Sequence, residues 1–497
     1  MRSRSLIPHF TGGIKLAAPM KPVPARSHNP PTMQVLSEAF RSGTLSPVAA
    51  TKTCLDRIEG LGRSLNCFIT VLGDSALKAA EESERRYRAG APLGPLDGIP
   101  IAVKDLFYIA GVRCTAGSKI LKDNIAGYDA TTVRYLKEQG AILVGTTNMH
   151  EFAAGVTSDN PHFGPVRNPW DSERVAGGSS GGSSVAVATG MAAGAIGTDT
   201  AGSVRIPAAL CGIIGFKPTY GRVSRIGVVP LAASLDTVGV LAQSAWDTAA
   251  LLQAITGHDK SDITTVDEPV PNYLESLSTP FQGARIGVVR QYFHEDVDPR
   301  VEENFEGFAS NLREIGCTTG EADLGPVREV YDKWLIIRRA EATAFHQRWL
   351  DSTPELYGAD VRRLLEQGED IRAVDYINAI NSRPAIIERF SQAMDRFDFL
   401  IAPTTSIPAP KIGQSATSIK GKEVSVYSAL NRLTLPFNYV GFPVASIPSG
   451  FADGLPLGVQ VIGKLFEEAT VLRLIRAYEE RFGPFSLPSL ESRTETS

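Results

Sequence analysis

Apolar positions along this chain follow two rhythms. Ser46–Leu61 and Ser75–Arg88 carry hydrophobic residues at helical spacing, the second among Ala, Glu and Arg, and predict two amphipathic helices. Short apolar runs then alternate with helical stretches: Pro100–Val103, a helix near Thr131–Glu138, Ala141–Gly145, a helix near Ser183–Ala193, and Ala195–Thr198. This alternation predicts an α/β fold, a large mixed central sheet covered by helices on both faces. Strand-like runs at Ile213–Phe216, Arg285–Val289, Phe397–Ala402, Val444–Ile447 and Val459–Ile462 extend the sheet. From 297 to 396 the pattern turns helical and more charged, through Val327–Leu350 and Ile371–Arg396, which predicts a helical layer over the sheet. Asp259–Gln282 and Ala409–Val424 read as loops.

One stretch breaks the pattern. Val175–Thr198 carries no charge and is long enough to cross a membrane, but it is built from Gly, Ser, Ala and Thr. It therefore predicts a turn, a tightly packed core helix and a strand, and no membrane span. With 497 residues, 43% of them hydrophobic, the chain can bury a large core, read as one domain over 34–485 with a flexible tail at 486–497. Residues 1–33 read as a disordered leader: Met1 to Ser37 holds no acidic residue, prolines are frequent, and Arg2, Arg4, Lys15, Lys21 and Arg26 show no sustained amphipathic pattern. Cytoplasmic residence is the expectation, with organellar targeting by the basic leader as the alternative.

A formal net charge of −4 gives no basic field for nucleic acid, so the partner is expected to be a small molecule. The five cysteines (Cys54, Cys67, Cys114, Cys211 and Cys317) are scattered with no CxxC pair, which argues against a zinc site or a disulfide framework and for buried, reduced thiols. No metal or cofactor is expected, and a homodimer is compatible with the sequence.

Candidate chemistry lies in three places. The strand Ala195–Thr198 ends in the turn Asp199–Gly202, and a helix begins near Ile206-Pro207, with proline suited to a first turn. Backbone N–H groups at such a turn can bind a developing oxyanion, with Ser203 beside them as nucleophile; the plainer reading of Ser203 is a helix cap. Gly177–Ser183 reads alone as a flexible linker, and no Gly-Lys-Ser/Thr follows to make a phosphate loop. It also holds Gly177-x-Ser179-x-Gly181, the spacing of a hydrolase nucleophile elbow, but His258, His294 and His346 downstream have no distinctive context. Lys104 closes the apolar strand Pro100–Val103. A lysine there is usually solvated, yet partial burial would lower its pKa and make it a base. Asp105 would oppose that shift, so it is expected to point elsewhere.

Together, Gly98–Asp105, Gly177–Ser183 and Gly197–Pro207, continued by Cys211 to Gly221, resemble the amidase signature family from about Leu36 to about Arg481. The resemblance implies that family's fold and a Ser–cis-Ser–Lys triad that cleaves an amide C–N bond through an acyl-enzyme. Carried over, Ser203 is the nucleophile, Ser179 the bridging serine on a cis peptide, and Lys104 the base. Neutral Lys104 takes a proton from Ser179, which takes one from Ser203. The N–H groups of Thr200, Ala201, Gly202 and Ser203 form the implied oxyanion hole, and Ala153 and Ser179 contact substrate. Asp199 and Arg205 are expected to hold the turn, and His150 to be structural.

The family also includes the glutamine-hydrolysing component, the A subunit, of the tRNA-dependent amidotransferase. That component typically has Asp where this chain has His150 and Gly where it has Ala201, and its Arg-Tyr-Asp-Gly motif has no match here. These departures favour a free-standing hydrolase of carboxylic amides. The alternatives are the glutamine-hydrolysing component itself, an enzyme acting on carbamates, anilides or fatty amides, and a catalytically silent binding protein.

Overall fold

The computed structural model describes residues 29–488. The expected leader therefore lies outside the described residues up to position 28, and the expected tail does so from 489. A helix already begins at Met33, capped by the Thr32 hydroxyl.

Eleven strands make one mixed sheet: β1 (Phe68–Val71), β2 (Pro100–Lys104), β3 (Ile142–Thr147), β4 (Gly194–Asp199), β5 (Ile214–Lys217), β6 (Thr237–Ala242), β7 (Arg285–Val289), β8 (Thr318–Ala322), β9 (Phe399–Pro403), β10 (Val444–Ala452) and β11 (Leu455–Ile462). Their spatial order is β1-β3-β2-β4-β6-β5-β10-β11-β9-β7-β8. The trio β3-β2-β4 is parallel, as is β9-β7-β8, and the remaining pairs are antiparallel.

Helices cover both faces, and alternate side chains of one strand divide between them as the two-residue period of a strand requires. In β2, Ile101 and Val103 join a core with the helices Met33–Ser42, Thr131–Glu138 and Ala245–Ile255, while Ala102 joins another with Pro47–Leu65 and Gly181–Ala188. Far along the sheet, Phe399 and Ile401 point to one core and Leu400 and Ala402 to a third, beneath Arg328–Ser352 and Arg383–Ala393.

Three strands escaped the hydrophobic pattern: β1, β6 and β8. Thr318–Ala322 adds an edge strand inside the expected helical layer, and its Thr-Thr-Gly-Glu-Ala sequence is mostly exposed or half-buried. The expected helix Ile371–Arg396 is broken into Ala373–Asn381 and Arg383–Ala393 at the Ser382-Arg383-Pro384 junction. The expected loop Ala409–Val424 contains a small hairpin, Ala416–Ile419 with Lys422–Ser425. All five cysteines are buried and unpaired.

Candidate active site

Parallel pairing brings the chemistry to one edge of the sheet. Ile101, Ala102 and Val103 of β2 pair with Gly194, Ala195 and Ile196 of β4, so Lys104 ends its strand beside the stretch Thr198–Asp199. Both residues lie at carboxyl ends of parallel strands, where open α/β sheets present ligand sites. Lys104 is wholly buried and its Nζ lies 2.8 Å from Ser179 Oγ and 2.9 Å from Thr198 Oγ1. Burial lowers its pKa to about 7, although the carboxylates of Asp236 and Asp199 pull the other way. Asp105 does face elsewhere: it accepts hydrogen bonds from the Thr115 N–H and hydroxyl, and burial raises its pKa to about 6.

Ser179 follows a cis peptide bond after Gly178, and its carbonyl accepts from the His150 N–H and the Ser158 hydroxyl, each at 3.2 Å. The helix Gly181–Ala188 begins at once and sits hard against its neighbours. A Cβ on Gly182 would stand 2.4 Å from Asn148 O and 2.5 Å from Cys67 O, so only glycine allows this approach. The Ser180 N–H reaches the Ser203 carbonyl at 3.1 Å, which ties the two serine loops together.

The turn Thr200–Ser203 is held from outside. Asp199 and Arg205, both fully buried, form a bidentate pair at 2.9 and 3.0 Å. Arg205 also donates to Thr434 O, Gln460 Oε1 and Asn438 Oδ1, so the charge is fully solvated by protein groups. Burial alone would raise the Asp199 carboxyl, but the Arg205 guanidinium outweighs it and holds that carboxyl well below the usual range. The Thr200 carbonyl accepts from Trp334 Nε1 at 3.0 Å and the Ala201 carbonyl from Thr434 Oγ1 at 2.5 Å. With their oxygens fixed outward, the Thr200, Ala201 and Ser203 N–H groups have no acceptor among the described residues.

Gly202 departs from the expectation. Its N–H donates to Asp199 Oδ1 at 2.7 Å, so it braces the turn and is not available to an oxyanion. Its φ of +113° and the 2.3 Å that would separate a Cβ from Thr434 Oγ1 require glycine here. Ser203 itself is 4% exposed.

A cavity of about 480 Å³ touches the segment that packs on Gly178, and its lining includes none of Lys104, Ser179, Thr200 and Ser203. One wall is His150 and Ala154–Thr157, whose Val156 and Thr157 backbone packs directly on Gly178; another is the helix Arg328–Ser352, which carries Trp334. Ala153, expected on the wall, is buried in the turn at φ +58°, and the lining begins one residue later. His150 lines the cavity with Nε2 3.0 Å from Asp360 Oδ2.

Sequence reasoning missed Thr198, Trp334, Asn438 and Gln460, which act through contacts far apart in the chain and carry no local motif. It also passed over Arg338 and Arg339, which line the cavity. Their doublet after Trp334-Leu335-Ile336-Ile337, a polar interruption of an apolar run, was the available signal.

A family model described as Amidase matches residues 49–472, most of the chain. The chain belongs to the amidase signature family. Among curated proteins it is similar to the A subunit of the Glutamyl-tRNA(Gln) amidotransferase of Coxiella burnetii, 38% identical over 473 residues, covering 90% of this chain and 97% of the relative. Among solved structures, this family member resembles a chain from a vestigial protein complex bearing on the origins of an s-triazine catabolic enzyme, at 33% identity and TM-score 0.88, covering 92% of this chain and 100% of that one. It resembles a structure described simply as an amidase at 33% identity and TM-score 0.84, covering 91% and 100%. No helix among the described residues is long and apolar enough to cross a membrane.

Proposed function

We propose that this protein hydrolyses a carboxylic amide through Lys104, Ser179 and Ser203. The observation that carries the reading is the buried Lys104 amine, 2.8 Å from Ser179 Oγ and lowered to about 7. A neutral amine there accepts the Ser179 proton while Ser179 accepts that of Ser203, whose oxygen attacks the amide carbon. The N–H groups of Thr200, Ala201 and Ser203 receive the negative charge that develops on the carbonyl oxygen. Collapse of the tetrahedral intermediate breaks the C–N bond, the proton returns along the serines to the leaving amine, and water releases the acyl group by the same route.

Two substrate readings share this machinery. The curated relatives favour glutamine hydrolysis within an amidotransferase, the alternative raised by the sequence. His150, Ala201 and the missing Arg-Tyr-Asp-Gly motif, with the amidase among the similar structures, favour a free-standing hydrolase. Purified chain, assayed alone on L-glutamine and on aliphatic and aryl amides, separates them. Turnover of simple amides without a partner supports the free-standing enzyme; glutamine-only turnover that needs an added partner protein supports the amidotransferase. Loss of all turnover in Ser203→Ala is expected with either. Cytoplasmic residence and a homodimer belong to this proposal, to be checked by fractionation and sedimentation.

A further inference from the structure

We propose that Trp334 is a positioning residue for amide hydrolysis: its indole N–H fixes the peptide between Thr200 and Ala201, so that the Ala201 N–H faces the oxygen on which negative charge develops. The inference rests on the hydrolase reading above and deepens it, because it makes the helical layer a part of the oxyanion hole.

A peptide unit is planar, so its C=O and N–H turn together. Whatever grips the Thr200 oxygen therefore aims the Ala201 N–H. That grip is Trp334 Nε1, at 3.0 Å, and no second donor reaches this oxygen among the described residues. The neighbouring peptides of the turn are held differently. The Asp199 oxygen accepts from Asn438 Nδ2 at 2.9 Å, and the Ala201 oxygen from the Thr434 hydroxyl. Thr434 and Asn438 also accept from Arg205, so those two peptides belong to the brace around the Asp199–Arg205 pair. The Gly202 N–H is taken by Asp199 as well. The Thr200–Ala201 peptide differs from both: its N–H has no acceptor among the described residues, and its oxygen is held by the helical layer.

The indole is itself held in place. Trp334 is 1% exposed on the helix Arg328–Ser352, in the same apolar core as Ala201, Leu433 and Leu435. The Arg338 guanidinium lies over its ring at 5.4 Å and the Tyr331 ring flanks it at 6.5 Å, one helical turn to either side. Indole has one donor and no acceptor, so a buried tryptophan needs a single oxygen. Here that oxygen belongs to the turn that carries Ser203. Accepting the bond also polarises the Thr200–Ala201 amide and makes its N–H a stronger donor. If Trp334 only filled the core, an apolar ring of the same shape would replace it without effect on the chemistry.

The test is the rate at which an alkyl fluorophosphonate labels Ser203 in the full-length protein. Ser203 Oγ bonds to phosphorus, fluoride leaves, the Ser203 proton passes by Ser179 to Lys104, and the phosphoryl oxygen takes the place of the oxyanion. Saturation kinetics separate recognition of the probe, KI, from attack, kinact. Two variants lack the donor: Trp334→Phe, and a protein with 3-benzothienylalanine at position 334, where sulfur replaces the N–H and the shape is kept. The second decides the matter if the first does not fold. Each folded variant should lose roughly 10- to 100-fold in kinact, less than loss of an oxyanion donor itself, with KI within about twofold. The bend of the labelling rate near pH 7, set by Lys104, should stay in place. An unchanged kinact in the benzothienyl protein overturns the proposal. So does a fall in kinact that comes with a moved bend or a weakened KI, the mark of general damage to the site. Probe attached away from Ser203, or no labelling of the wild-type chain, would instead sink the hydrolase reading and the proposal with it.

Discussion

The pH dependence of Ser203 acylation should follow Lys104. Burial brings its amine to about 7, so about 90% of it is neutral at pH 8, against roughly 0.3% for a lysine left at 10.5. That is on the order of a 300-fold gain in the form able to accept a proton. The rate of amide hydrolysis should therefore rise with pH, bend near 7 and level off. Lys104→Ala should lower kcat/KM by roughly 100- to 10,000-fold and abolish the bend. Lys104→Arg should be as inactive, since a guanidinium does not lose its proton. The same shift means the folded chain binds fewer protons than the unfolded chain between about 7 and 10.5, so the contribution of Lys104 to stability improves as pH rises across that window. Stopped-flow or steady-state rates across neutral and alkaline pH make the test. A limb near the ordinary lysine value, or an unchanged limb in Lys104→Ala, would refute the assignment of Lys104 as base.

Arg205→Ala leaves Asp199 buried without its cation and should lower stability by about 3–5 kcal/mol, read from the denaturant midpoint; an unchanged midpoint would count against the Asp199–Arg205 pair as the brace of the turn. Gly202→Ala forces a side chain into φ +113° and against Thr434, so acylation of Ser203 should slow severely; a wild-type rate would show that the turn tolerates another path. Asp247 and Glu479 are raised by burial to about 7 and about 8, above their unfolded values of 3.8 and 4.5. Their contribution is complete below those unfolded values and is lost as pH rises through the folded ones, so the midpoint should fall with pH across that window. Asp247→Asn combined with Glu479→Gln should flatten the fall, and an undiminished slope would contradict it.

The parts of the fold legible in the sequence are those whose side chains repeat. Strands β2 and β4 are apolar runs buried on both faces, and helices such as Thr131–Glu138 carry a clear stripe. Strand β8 was hidden because an edge strand needs no such run, and Thr237–Ala242 was hidden by its place just after a long irregular stretch. In the candidate site, Ser179, Ser203 and Lys104 stood out as candidates because glycine-rich turns and a lysine ending a buried strand are local signals, and the fold brings Lys104 to 2.8 Å from Ser179. The role of Gly202 was misjudged: a motif marks where N–H groups cluster, but only the fold shows that Asp199 takes one of them.

The most direct test of the account is which residue becomes covalently modified. A fluorophosphonate probe on the intact protein, followed by peptide mass mapping, should label Ser203. Labelling should vanish in Ser203→Ala, and fall in Ser179→Ala and Lys104→Ala. Modification of Ser179 or any other residue, or full labelling of Ser203 when Lys104 is replaced, would contradict the relay.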